Sequence, residues 1–144
     1  MKIGIVGKGF VGSAVANGFD KGTELFIVDS KYSTNTLEDL IAFSPAITFI
    51  CVPTPVSEDG SCDVTIASEV LSELSMRDYK GVCVIKSTII PDYLQEFKKE
   101  FDLKIVYNPE FLTEANANQD FINPKMQVLG GKWKDCEVVE KAYL

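Results

Sequence analysis

The sequence contains no histidine. That removes the commonest general base and a common zinc ligand, so any chemistry must come from carboxylates, hydroxyls, lysine or water. The four cysteines, Cys51, Cys62, Cys83 and Cys136, form no C-x-x-C pair, and no metal site is expected from them. Cys51 and Cys83 lie inside apolar runs, where a free thiol acts as a small hydrophobe. Thiols scattered in this way fit a reducing compartment, the cytoplasm. No apolar run approaches the roughly 20 residues that a membrane span requires. A strand-like run begins within two residues of Met1, so no secretory signal is expected. Basic charge is also scarce: the net charge of −7 argues against a nucleic-acid partner. It leaves room for an anionic small molecule held by backbone amides and one or two lysines. Repeats, low-complexity tracts and linkers are absent.

What is present suffices for one domain with a real core: 144 residues, 46% hydrophobic and 24% charged. The chain opens on an apolar run, Ile3, Ile5 and Val6, that meets Gly7, Gly9 and Gly12 at the spacing G-x-G-x-x-G, ahead of a helix-compatible segment. This reads as strand, tight turn and helix. Gly7 allows the turn, Gly9 lets backbone approach a diphosphate, and Gly12 lets helix and strand pack closely. Glycine-rich turns also serve plain packing, so the neighbouring residues decide. Leu25–Val28 reads as a second strand ending at Asp29, about 20 residues past the glycines, where a ribose-hydroxyl acceptor is expected. Its carboxylate would repel a 2′-phosphate and favour NAD over NADP. The alternative for Asp29 is a strand-end turn aspartate.

Thr36–Phe43 offers a capped short helix with acidic residues in its first turn. Ile47–Val52 is a near-continuous apolar run suited to a strand buried on both faces, stopped by Pro53-Thr54-Pro55. Thr54 thus falls in the loop at a strand's C-terminal end, where open α/β sheets place ligands. Asp63 is expected to cap a helix running to Met76, with Ile66, Val70, Leu71 and Leu74 as its apolar stripe. Gly81–Lys86 gives another strand, followed by Ser87-Thr88 and a helix from Pro91 to Phe101. Leu103–Tyr107 is the next strand, leading into Asn108–Glu114, which is expected to become helical. Met126–Gly131 reads as a last short strand. Lys132–Leu144 places Trp133, Cys136, Val139 and Tyr143 at helical spacing. Alternating strands and helices imply a Rossmann-like, doubly wound parallel α/β sheet over residues 1–131, with 132–144 as a closing helix.

Four stretches in this order resemble the NAD-binding domain of the UDP-glucose/GDP-mannose dehydrogenases. They are Gly7–Gly12, Cys51–Pro55 with Asp59-Gly60 and Asp63 after it, Lys86-Ser87-Thr88, and Asn108-Pro109-Glu110-Phe111-Leu112-Thr113-Glu114. The fourth is the most specific. The resemblance implies a four-electron oxidation of a nucleotide-sugar 6-hydroxyl to a carboxylate with two NAD in turn, UDP-glucose being the usual substrate. By position, Phe10 and Val11 line the diphosphate turn and Asp29 binds ribose. Pro53, Thr54 and Thr88 fall at the nicotinamide half. The resemblance puts Glu110 at substrate and thioester hydrolysis. Glu114 is given a cofactor contact and the ordering of a catalytic water to which Thr88 hydrogen-bonds, and Phe111 and Leu112 contact substrate. Glu110 and Glu114, four apart, would share one helical face and push their pKa values apart. A solvated acidic face is the plainer reading of that pair.

Two departures accompany the resemblance. The stretch between Asp29 and Cys51 is short, so Tyr32–Asn35 is all that remains for a third strand. The family's nucleophilic cysteine belongs to a later domain, so residues 1–144 alone are expected to be inactive and to form part of a longer chain, a homodimer in full-length form. The competing expectation is a stand-alone NAD-binding or interaction module without catalysis.

Overall fold

The computed structural model describes residues 1–19 and 21–144. Its strands are β1 (Lys2–Val6), β2 (Glu24–Val28), β3 (Ile47–Ile50), β4 (Val82–Ile85) and β5 (Lys104–Tyr107). They alternate with α1 (Phe10–Gly18), α2 (Leu37–Phe43), α3 (Thr65–Met76) and α4 (Pro91–Glu100), and α5 (Ala117–Ile122) and α6 (Trp133–Tyr143) follow β5. All strand pairs are parallel and the spatial order is β2-β1-β3-β4-β5. The chain moves from β1 to β2 on one side, then crosses to β3 on the other. That reversal beside β1 opens a crevice at the strands' C-terminal ends.

β3 and β4 are buried at every position, as strands covered by helices on both faces must be. One face packs Val6, Ile50, Cys83 and Ile85 against Leu40, Leu71, Leu74, Leu94 and Phe97 of α2, α3 and α4. The other packs Ile3, Ile5, Phe49 and Val84 against Val15, Phe121 and Val139 of α1, α5 and α6. The polar exception in β3 is Thr48, which is fully buried. It bonds to the Tyr79 hydroxyl at 2.7 Å, and Tyr79 donates on to the Pro45 carbonyl at 3.1 Å. Each buried polar atom is thereby satisfied, at a net gain of about 1 kcal/mol per bond.

Local signals explain the helix ends. Thr36 and Asp39 form a reciprocal capping box before α2, and Pro91 occupies the first turn of α4, with Lys98 and Lys99 in its last. Among the described residues, no helix is long and apolar enough to cross a membrane.

Several expectations are corrected. β3 ends at Ile50, two residues short of the apolar run, where Cys51 leaves the sheet under the Gly7 turn. Met126–Gly131 forms no strand, only a single antiparallel bridge between Tyr107 and Gly130. The side chain of Asn108 bonds the Val128 carbonyl at 2.9 Å, a side-chain contact where a strand would need a backbone ladder. Tyr32–Asn35 forms a turn and an irregular stretch, leaving β2 as the sheet edge. Val64 holds the cap position of α3, while Asp63 accepts from the Thr65 N–H at 2.9 Å. In α3, Ile66 is exposed and Ala67 takes its place in the core; in α6, Trp133 is exposed while Val139 is buried.

Candidate functional site

The turn after β1 is shaped by its three glycines. Gly7 has φ +94°, and a Cβ there would meet the Cys51 carbonyl oxygen at 2.5 Å. A Cβ on Gly12 would lie 1.9 Å from the Gly7 carbonyl oxygen, so only glycine lets α1 sit against the turn. A Cβ on Gly9 would meet nothing within 4 Å. The space above Gly9 is thus open. No side chain caps α1, so its first-turn N–H groups, those of Phe10, Val11 and Gly12, lack helical partners and present a positive dipole end. This geometry fits the diphosphate of NAD.

Asp29, just past β2, fastens the cradle. Its carboxylate accepts from the N–H groups of Lys8 (2.6 Å), Lys31 (2.8 Å) and Tyr32 (2.9 Å). Burial alone would raise its pKa, but these three donors outweigh it and hold the carboxyl below the usual aspartate value. Asp29 is therefore ionised at neutral pH, and a carboxylate with about four lone-pair sites keeps one open to a further donor.

The far end of the crevice comes from the loops after β3 and β4. Thr54 donates to the Thr88 carbonyl at 2.8 Å, and the Cys62 thiol approaches the same oxygen at 3.4 Å. Ser87 ties the end of β4 to the Val52 carbonyl at 2.7 Å. The cleft so formed has a volume of about 470 Å³, within the ordinary range for small-molecule sites. Gly7, Gly9, Phe10, Val11, Asp29, Pro53, Thr54, Thr88 and Glu110 all line it.

Beyond Glu110 lies a second cavity of about 440 Å³, lined by Phe111, Leu112, Phe121 and Met126 among others. Glu110 and Lys86 line both cavities and form the wall between them. Lys86 is buried, and its ammonium donates to the Asn108 side-chain oxygen at 2.9 Å and its carbonyl at 3.4 Å. Tyr143 donates to the same side-chain oxygen at 2.6 Å, and the Asn108 amide grips Gln127 and Val128. Burial pushes the Lys86 pKa down to about 8, against the pull of Cys51 and Glu110. Sequence reasoning drew only Thr88 from Lys86-Ser87-Thr88. The available signal was a lysine closing a continuous apolar run, where its charge cannot reach water without a partner.

Glu114 stands apart. It is exposed, opens a 3-10 turn (Glu114–Asn116), and lines neither cavity. The helical face expected to unite it with Glu110 does not form, because residues 108–113 are irregular. Glu110 instead turns back to accept from the Leu112 N–H at 2.7 Å. Burial raises the thiols of Cys51 and Cys83 to about 12, so neither is a thiolate at neutral pH.

The family model for the NAD-binding domain of UDP-glucose/GDP-mannose dehydrogenases matches residues 26–143. The chain belongs to this family. Its cofactor domain is the NAD-binding one, and the match begins after the glycine turn, which is supported by its own geometry. A UDP-glucose 6-dehydrogenase of Rickettsia bellii is 36% identical over 105 residues, covering 67% of this chain and 24% of that protein. The UDP-glucose 6-dehydrogenase AglM of Haloferax volcanii is 27% identical over 177 aligned positions, 92% of this chain and 41% of its own length. An alignment longer than the chain means that this relative carries segments absent here. In fold, the chain resembles a GDP-mannose dehydrogenase of Pseudomonas aeruginosa (TM-score 0.81, 24% identity, 99% of this chain and 44% of that one). A UDP-glucose dehydrogenase of Pyrobaculum islandicum gives a TM-score of 0.82 at 22% identity, over 99% of this chain and 43% of that one. The chain thus spans less than half of these relatives.

Proposed function

We propose that this chain supplies the NAD-binding half of a cytoplasmic nucleotide-sugar 6-dehydrogenase of the UDP-glucose type, part of a longer, homodimeric protein. The observation that carries this reading is the single cleft in which the glycine cradle, Asp29, Thr54, Thr88 and Glu110 converge. Bound at this cleft, NAD would supply the hydride acceptor for oxidation at the sugar C6 centre. The residues here hold and orient: first-turn amides of α1 take the diphosphate, Asp29 takes a ribose hydroxyl, and the Thr54–Thr88 pair borders the nicotinamide end. Glu110, on the wall between the cavities, is placed to handle a proton where the two meet. Phe111 and Leu112 then line the substrate side. Glu114 reaches a role at the cofactor and its water only if the 3-10 turn moves toward the cleft. The Cys51 and Cys83 thiols are protonated at neutral pH and neither Cys62 nor Cys136 lines either cavity, so the nucleophile that would turn an aldehyde into a thioester is to be sought beyond these 144 residues.

NADH formation with UDP-glucose, GDP-mannose and short hydroxyacids, measured side by side, tests the reading. The complete protein should form NADH with a nucleotide sugar, and residues 1–144 alone should form none. Formation of the sugar carboxylate, with two NADH per sugar, by residues 1–144 alone would refute the need for a further nucleophile. NAD binding without turnover by the complete protein would instead favour a binding module.

A further inference from the structure

The adenosine end of the cleft lacks the wall that a third strand would supply. β2 is the sheet edge, and after Asp29 the chain turns through Ser30–Tyr32 and runs without regular structure to α2. Tyr32 nevertheless lines the cleft and is 60% exposed, while Phe10, the other aromatic residue of that lining, is 43% exposed at the start of α1. The position of Tyr32 is fixed on both sides. Ahead of it, the Asp29 carboxylate accepts its N–H and that of Lys31. Behind it, the Ser33 N–H returns to the Asp29 carbonyl at 3.1 Å, while the side chains of Ser33 (3.0 Å) and Asn35 (2.8 Å) both bond the Ile27 carbonyl on the open edge of β2. The Lys31 ammonium lies 5.2 Å from the ring centroid, covering one aromatic face with a cation. The turn therefore presents a ring with a second face available, in a backbone already ordered before any ligand arrives.

We propose that Tyr32 is the stacking shelf for the adenine base, held in place by the same Asp29 that accepts the adjacent ribose. On an open shelf the base is recognised by its π-face and its ribose, with no wall to read its edge. The site then takes dinucleotides whose base edge is altered or enlarged as readily as NAD. This rests on the reading of the cleft as the NAD site.

Calorimetric titration of the whole chain with NAD, ADP-ribose and etheno-NAD, whose base carries an extra fused ring, tests it. Base–aromatic stacking is worth about 1–3 kcal/mol. Tyr32→Leu should therefore weaken NAD and ADP-ribose by roughly tenfold, while Tyr32→Phe and Tyr32→Trp hold wild-type affinity within about threefold. Etheno-NAD should bind the wild type within about threefold of NAD. In proton NMR spectra, the adenine ring protons of ADP-ribose should move upfield on binding to wild type and lose that movement in Tyr32→Leu. Tyr32 is exposed, so these variants should unfold at the wild-type temperature, which is checked alongside. Wild-type affinity in Tyr32→Leu, or rejection of etheno-NAD by the wild type, overturns the shelf while leaving the NAD site standing. Failure of the wild type to bind NAD at all overturns both.

Discussion

Lys86 carries a cost that the rest of the molecule accepts. It is 3% exposed, and Asn108, to which its ammonium donates, is neutral. In the unfolded chain an ordinary lysine titrates near 10.5, whereas in the folded protein Lys86 titrates near 8. Below pH 8 both states carry the proton, and the folded state bears the full penalty of a buried charge. Between the two values the unfolded chain binds more protons, so stability rises with pH across that window. Cys51, Cys83, Tyr79 and Tyr143, whose loss of solvent raises their pKa values, act in the opposite direction, because the unfolded chain ionises first. The comparison must therefore be with Lys86→Met, which keeps those groups and removes the ammonium. From pH 7.5 to 9.5, wild type should gain roughly 2 kcal/mol of unfolding free energy relative to Lys86→Met. Urea unfolding at the two pH values measures this, and a constant difference between the proteins would show that Lys86 is not buried as a cation.

At the scale of elements, the junction of β1 and α1 separates two roles of glycine that a sequence motif cannot. Gly12 faces backbone: its Cβ would sit 1.9 Å from the Gly7 carbonyl, so Gly12→Ala must pry the helix from the strand at a cost of about 1–3 kcal/mol. Gly9 faces open space and has φ −72°, a conformation any residue adopts. Gly9→Ala should thus leave the unfolding midpoint unchanged within about 0.5 kcal/mol. It should nonetheless weaken NAD at least about tenfold, or 1.4 kcal/mol, because the methyl would occupy the place proposed for the diphosphate. Thermal unfolding and NAD titration of the pair check both halves. Wild-type NAD affinity in Gly9→Ala would remove the cradle from that position. This junction was legible because glycines, apolar run and Asp29 are all local signals. The 108–114 segment was not. A spacing of four matched a helical face, but Asn108 bonds to residues 86, 127, 128 and 143, tertiary partners that override the helix, and Glu110 closes a local turn on the Leu112 N–H. The missing strand at 126–131 has the same cause, since long-range side-chain bonds leave no mark on local periodicity.

Across the whole molecule, the cleft straddles the point where the sheet reverses direction. The cradle and Asp29 belong to β1 and β2, while Pro53, Thr54 and Thr88 follow β3 and β4. Alternation of apolar runs and capped helices made this layout readable, since β3 and β4 can satisfy their burial only between two helical layers. Shortness after Asp29 was also readable, and its consequence is that β2 ends the sheet, its residues less buried than those of β3 or β4. A ligand spanning the cleft must therefore bind both halves of the sheet at once, and the less buried edge should gain most from it. Binding to the folded state alone adds about 2.7 kcal/mol at a ligand concentration one hundred times the dissociation constant. For a chain of this length that corresponds to a rise of roughly 5–10 °C in unfolding temperature. NAD should produce this rise in a single cooperative transition, followed by circular dichroism. Hydrogen exchange should slow in β2 as well as in the β3–β4 loops. Protection confined to one side of β1, or two separate melting steps in saturating NAD, would mean that the dinucleotide does not bridge the reversal point.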